Sequence, residues 1–295
     1  PGYFLRKAKL LPENTAGIFA VLLLCISQPF LMMSSLFDKK FESSMLLDFA
    51  WILLFAVVLQ LLVYFAAKLF FVKEKDMAAK RACEACSYLG NVGFMGIPVM
   101  QMLFPDNPEM ILYTVVYNIA FNAMTWTLGV FAITGDRKRI NPLKIILNPP
   151  TIAVIIALPL FFCNVPIPEQ IMTPIRYLGD MTLPLSMIIL GLRLADMRLI
   201  SLVNDWKVYM VAFVKLIVSP LLCLGVLMPC GLFLTIGSTV NIALYIIAAM
   251  PTASSALNFA EMYGGAKETA AAATLMNTIL CIVTIPILML LTQFV

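Results

Sequence analysis

No histidine occurs among the 295 residues. That removes the commonest general base and metal ligand, so an intramembrane enzyme built on this chain would have only carboxylates, serines or cysteines to work with. Charge is scarce as well. Asp, Glu, Lys and Arg make up 12% of the chain, against about 25% in a soluble domain. With 62% hydrophobic residues, water cannot solvate the folded chain, and the bilayer is its natural solvent. The net charge of +4 is spread over short loops between apolar runs rather than one contiguous face, which excludes nucleic acid as an expected partner. A disulfide framework is not expected either: the seven cysteines (Cys25, Cys83, Cys86, Cys163, Cys223, Cys230 and Cys281) mostly lie inside apolar segments, where small packing residues belong. Cys83 and Cys86 form a CxxC without a second pair, so no metal and no cofactor is expected.

A spanning helix needs about 20 mostly apolar residues. Nine such segments are present, at roughly 15–37, 45–71, 81–104, 109–134, 149–163, 169–194, 206–232, 236–262 and 268–294. The fifth is short, although its polar flank can be drawn in to lengthen it. Lys and Arg alternate between the connections. Arg6, Lys7 and Lys9 precede the first span, and Lys73, Lys75, Lys80 and Arg81 follow the second. Arg137, Lys138, Arg139 and Lys144 form the next basic group, then Arg193, Arg198 and Lys207, then Lys267. The opposite side has Lys39 and Lys40, with Arg176 inside a span. The positive-inside rule therefore places residue 1 on the cytoplasmic side of a plasma (inner) membrane and the C-terminus outside.

Pro1-Gly2-Tyr3-Phe4-Leu5-Arg6-Lys7 reads as the cytoplasmic exit of an earlier helix, so one further span is expected before residue 1. With it, the chain divides into five plus five. The halves echo one another: Gln28-Pro29-Phe30-Leu31-Met32 and Leu183-Pro184-Leu185-Ser186-Met187, Gly96-Ile97-Pro98 and Ala249-Met250-Pro251, and the equal spacings Glu109 to Asn118 and Glu268 to Asn277. An odd number of spans per half forces opposite insertion, which is an inverted repeat. The expected fold is thus an all-α polytopic membrane protein, with a first repeat over 1–134, a basic linker over 135–148 and a second repeat over 149–295.

Two spans carry helix breakers at matching positions. Gly90-Asn91-Val92-Gly93-Phe94-Met95-Gly96-Ile97-Pro98 interrupts one, and Ala249-Met250-Pro251-Thr252-Ala253-Ser254-Ser255-Ala256-Leu257-Asn258 the other, after Asn241. Glycine and proline weaken the hydrogen-bond ladder, and in hydrocarbon the freed groups are tolerated only where protein or a wet cavity receives them. A matched pair of interrupted helices points to a transporter binding site, and half-helix N-termini favour an anion. Helix packing alone also uses glycine and proline, but explains a matched pair less well. Asn118 and Asn122 share a helical face, with Asn277 the counterpart of Asn118. They should face the bundle interior, as scaffold or as substrate contacts.

Three charges lie at depth. Asp180 is about 16 Å into its span at 1.5 Å per residue, Lys215 is comparably deep, and Arg176 is shallower. Asp180 and Lys215 are candidate coupling sites. The plainer reading pairs Asp180 with Arg176, four residues away, or with Lys215. Glu84 and Glu261 are expected near cytoplasmic ends in solvent, with Lys68 snorkelling to the interface.

The stretch Tyr88-Leu89-Gly90-Asn91-Val92-Gly93-Phe94-Met95-Gly96-Ile97-Pro98, with Gly2-Tyr3, Leu10-Leu11-Pro12, Asn148-Pro149-Pro150-Thr151, Leu183-Pro184-Leu185 to Gly191 and Met250-Pro251-Thr252-Ala253, resembles the auxin efflux carrier family, which includes bacterial relatives of the plant PIN auxin transporters. The resemblance runs along essentially the whole chain. It implies ten spans with the fourth and ninth broken and crossing at prolines, here Pro98 and Pro251. It also implies a scaffold (1–44 and 149–205) and a moving transport domain (45–134 and 206–295) working as an elevator. The substrate, a small organic anion such as malate, malonate or an auxin-like acid, would sit by the prolines and Asn91, facing the helices that carry Pro29 and Pro184. With the residues singled out above, the candidate substrate contacts are Gln28, Asn91, Gly93, Gly96, Pro98, Asn118, Asn122, Pro184, Pro251, Thr252, Ser254, Ser255, Asn258 and Asn277. Only Gly135 to Pro150 joins the halves, so regulation through a long cytoplasmic loop, as in the plant carriers, is not expected.

The coupling ion stays open between H+ and Na+, since the implied fold is similar to that of sodium–bile acid symporters. Assembly is open as well, a homodimer included. Two rival readings are an intramembrane enzyme, which would need a second acid matched to Asp180, and a membrane ligand sensor that does not transport.

Overall fold

The computed structural model describes residues 1–12, 14–141, 143, 146–196, 205–231 and 237–292; Lys144 and Arg198 of the basic connections lie outside them. Among the described residues there is no β-strand, only one isolated bridge between Gly90 and Thr252. Six helical runs are long and apolar enough to span a bilayer: Thr15–Phe37, Met45–Phe70, Pro108–Thr134, Glu169–Arg193, Trp206–Cys230 and Lys267–Met289. Met45–Phe70 shows why. Its 26 residues contain no glycine or proline and extend about 39 Å at 1.5 Å per residue, more than the ~30 Å hydrocarbon core. Three shorter apolar helices, Val92–Leu103, Pro149–Phe162 and Ser238–Ala248, fall in the short fifth span and in the two segments expected to be interrupted.

Prolines inside these helices are accommodated by widening the turn before them. Five-residue π-helical turns cover Leu23–Ser27, Val92–Gly96 and Val214–Val218, and each ends two residues before a proline: Pro29, Pro98 and Pro220. A proline ring collides with the carbonyl four residues back and cannot donate to it; a π turn displaces that carbonyl and lets the helix continue. A fourth π turn, Thr125–Gly129, has no proline after it. Pro184 is handled differently. The run breaks at Met181 between Glu169–Asp180 and Thr182–Asp196, where the ring of Pro184 would meet the Asp180 carbonyl.

The chain divides into two compact units. The first comprises Pro1–Met45, Gly93–Val115 and Leu143–Leu199. Within it, Gln28–Phe37 packs on both Pro149–Phe162 and Glu169–Asp180. Gly179 permits the second contact: a Cβ there would come within 2.9 Å of the Leu31 Cα. Small residues at such crossings let membrane helices approach closely. Leu23, Leu185 and Ile189 form an apolar cluster with Phe19, Ala20 and Phe94. Loop contacts tie one end. Asn164, in the left-handed region, receives the Phe41 N–H on its Oδ1 at 2.7 Å and donates Nδ2 to the Phe41 carbonyl at 3.0 Å.

Arg176 corrects an expectation. Its guanidinium pairs with Asp38 at 2.7 Å and Glu169 at 2.8 Å rather than with Asp180. The loop carboxylate of Asp38 accepts from both Nε and Nη2, a fork geometry that Asp180 on the same helix does not supply. Asp180 itself is exposed.

The second unit comprises Leu46–Val92, Val116–Pro142 and Ile200–Val295. Met77–Tyr88, Trp206–Phe213 and Lys267–Met289 pack together, the last through buried Ala270, Ala272 and Ala273. Asp76 starts the first of these helices by accepting from the N–H groups of Ala78 and Ala79, and Asp205 starts the second through Lys207 N–H. Such caps satisfy donors that a helix start otherwise leaves bare.

Candidate functional site

The second unit contains the pair of interruptions. Met77–Tyr88 ends at Leu89, whose backbone turns extended. The helix resumes at Val92. Ser238–Ala248 ends at Ala249, and the next helix, Ser254–Tyr263, starts after an extended Ala253. The two gaps are paired. Asn91 donates its N–H to the Pro251 carbonyl at 2.7 Å, and Ala253 donates to the Leu89 carbonyl at 2.8 Å, around the antiparallel Gly90–Thr252 bridge. The Thr252 hydroxyl, fully buried, donates to the Cys86 carbonyl at 2.7 Å. Backbone groups released by one broken helix are therefore satisfied by the other, which is how non-helical chain survives away from water.

The first break lies at the start of the Gly90–Pro98 run and not at Pro98, where the resemblance puts the crossing. Pro98 follows a π turn within a continuing helix, eight residues beyond Gly90, because that turn absorbs the proline. Gly93 and Gly96 also sit in that turn. Pro251, by contrast, lies inside its gap.

Buried polar groups gather at the gaps. Lys215 is 3% exposed and donates to the Ala248 carbonyl at 3.5 Å, while Ser219 donates to the same oxygen at 3.1 Å. A Cβ on Gly90 would come 3.1 Å from the Lys215 Nζ, so the lysine tip packs closely against the bare Cα of this glycine. Ser254 and Ser255 open the second half-helix without a side-chain cap, and the buried Ser255 hydroxyl has no hydrogen-bond partner. The half-buried Asn91 amide makes no hydrogen bond among the described residues.

The remaining candidates divide between the two units. In the second unit, Asn118 is fully buried and Asn122 half-buried on Pro108–Met124. Asn277 is fully buried on Lys267–Met289; it donates to the Ala273 carbonyl at 2.9 Å and leaves its Oδ1 unpartnered. Asn258 is exposed on Ser254–Tyr263. In the first unit lie Gln28, Gly93, Gly96, Pro98, Asp180 and Pro184, with the Gln28 Oε1 buried and unpartnered.

Sequence reasoning missed Ser219 and the Cys86 carbonyl. Ser219 had a signal, since it stands four residues after Lys215 on the same helical face. Cys86 had none, because its role is a carbonyl that any residue would offer. Glu84 is a further correction. It is buried, at 4% exposure, rather than solvated, and lines a cavity of about 410 Å³ with Tyr64, Lys68, Lys80, Arg81 and Phe131. Lys80 and Arg81 on its own helix and Lys68 on Met45–Phe70 make that burial tolerable. Lys68 holds its ammonium 4.6 Å from the Tyr64 ring centroid, and Arg81 donates to the Thr134 carbonyl.

A family model described as membrane transport protein matches residues 1–143 and 138–289. An uncharacterized transporter of Methanocaldococcus jannaschii is 28% identical over 211 residues, covering 67% of this chain and 66% of that protein. The chain therefore spans just under two thirds of that relative's length.

Proposed function

Because the chain belongs to this family of membrane transport proteins, the auxin efflux carriers, we propose that it is a secondary carrier for a small organic anion bearing a carboxylate. The observation that carries the reading is the paired break: two interrupted helices joined by one backbone bridge, with the Asn91 amide and the Ser255 hydroxyl left without hydrogen bonds beside it. The start of Ser254–Tyr263 presents bare N–H groups and the positive end of a helix dipole, both suited to a carboxylate. Asn91, Ser254 and Ser255 are the contacts we favour. Thr252 has already committed its hydroxyl to Cys86 and serves as positioning. In this reading 45–134 with 206–295 moves as an elevator against 1–44 with 149–205, and the basic connections face the cytoplasm.

The test is flux. Protein in proteoliposomes on a solid-supported membrane is challenged with mono- and dicarboxylates, with and without sodium and pH gradients, and labelled uptake follows for electroneutral cases. Saturable transport of a few carboxylates is expected, reduced by Asn91→Ala. Binding that is indifferent to the ligand's anionic group would overturn the substrate class.

A further inference from the structure

The ends of the broken helices carry charge. A helix C-terminus presents about half a negative charge through its last carbonyls. Met77–Tyr88 and Ser238–Ala248 both end in this region, and their chains are hydrogen-bonded to one another one to five residues later. Together they amount to about one negative charge, held within protein and next to an N-terminus that is meant to attract an anion. Left alone, that charge would oppose substrate and would itself call for a cation.

One ammonium supplies the balance. Lys215 is buried, its Nζ lies 3.5 Å from the Ala248 carbonyl, and a Cβ on Gly90 would come within 3.1 Å of it. Among the described residues no carboxylate lies within ion-pair distance of it. A buried ammonium without a counter-ion costs several kcal/mol, and the carbonyl end at Ala248, with Gly90 of the other gap alongside, is what the structure sets against it. The neighbouring elements meet it with Ser219 and with the paired backbone rather than with acids.

We propose that Lys215 is a resident, covalently tethered cation of the broken-helix site. It cancels the two carbonyl ends, leaves the field of the Ser254 half-helix to act on an anion, and makes the protein indifferent to sodium. This rests on the carrier reading for its consequence in transport, but its binding consequence stands apart. Lys215→Ala opens a void lined by the Ala248 carbonyl and the Ser219 hydroxyl, oxygens suited to a small monovalent cation.

The experiment follows thermal unfolding of the purified full chain in detergent, in sodium, methylammonium or N-methylglucamine chloride at equal ionic strength. Wild type is expected to unfold at one temperature in all three. Lys215→Ala is expected to be less stable in N-methylglucamine and to recover progressively as sodium or methylammonium is added, as mass action requires. A saturable sodium response in wild type, or an unresponsive Lys215→Ala, overturns the proposal. If Lys215→Ala cannot be purified, Lys215→Arg is compared with Lys215→Met: the charge-keeping variant must retain wild-type stability and the volume-keeping one must lose it, and equal losses overturn the proposal. Proteoliposome flux of the same variants is read separately. Cation-responsive unfolding without flux in any form would refute the carrier reading while leaving the tethered cation intact.

Discussion

In the first interrupted segment the helix stops at Tyr88 and resumes at Val92 with no proline in the gap, whereas in the second it stops at Ala248, resumes at Ser254 and holds Pro251 between. The second break is written into its own chain, since Pro251 cannot donate and pushes Met250 away from helical angles. Nothing as strong stands at the first. Gly90 costs a helix about 1 kcal/mol relative to alanine, too little to end one in hydrocarbon, where every unpaired backbone group is penalised by more. The first gap is held open from outside, by the hydrogen bonds of Asn91 and Leu89 to the second and by the Thr252 hydroxyl on Cys86. One broken helix therefore acts as the template for the other.

This asymmetry can be broken experimentally, and the largest effect should come from Pro251→Ala. It returns a donor and removes a bias of about 3 kcal/mol against continuous helix, so the template itself can close. Transport in proteoliposomes is expected to fall by about tenfold or more with the protein still monodisperse; full transport would mean the gap does not depend on proline. Thr252→Val comes next. It leaves the Cys86 carbonyl unpaired and should cost about 1–3 kcal/mol, seen as a lower unfolding temperature that Thr252→Ser restores. Pro98→Ala should do least, with transport within about twofold of wild type, because its turn already absorbs the ring. Equal losses for Pro98→Ala and Pro251→Ala would show that both prolines shape the gaps.

What was legible in the sequence follows the same division. Long apolar runs such as Met45–Phe70 declare themselves, because the bilayer demands length and composition and little else. The pairing of two interrupted segments was also visible, since breakers in matching places are rare by chance. The exact place of the first break within Gly90–Pro98 was not. Gly93, Gly96 and Pro98 are the louder local signals, but a π turn neutralises all three, and the real gap is fixed by residues some 160 positions away. Glu84 and Arg176 failed for a related reason. The cations around Glu84 and the Asp38 carboxylate that claims Arg176 come partly or wholly from other elements, which spacing along one helix does not reveal. Lys215 was readable as a deep charge, whereas the carbonyl end it rests on could not be read before the helices were placed.

The wide turns before Pro29, Pro98 and Pro220 have a consequence for descent as well as for shape. Each carries one residue more than an ordinary turn, and one residue swings everything beyond it by about 100° around the helix axis. A deletion inside Leu23–Ser27, Val92–Gly96 or Val214–Val218 can therefore be taken up by tightening the turn. The face beyond then keeps its direction and the helix itself survives. These windows are where chain length can drift among relatives without the loss of a span. An alignment that forbids gaps inside membrane helices will put the wrong partners opposite Gln28, Ile97 and Ser219 and opposite every residue that shares their faces.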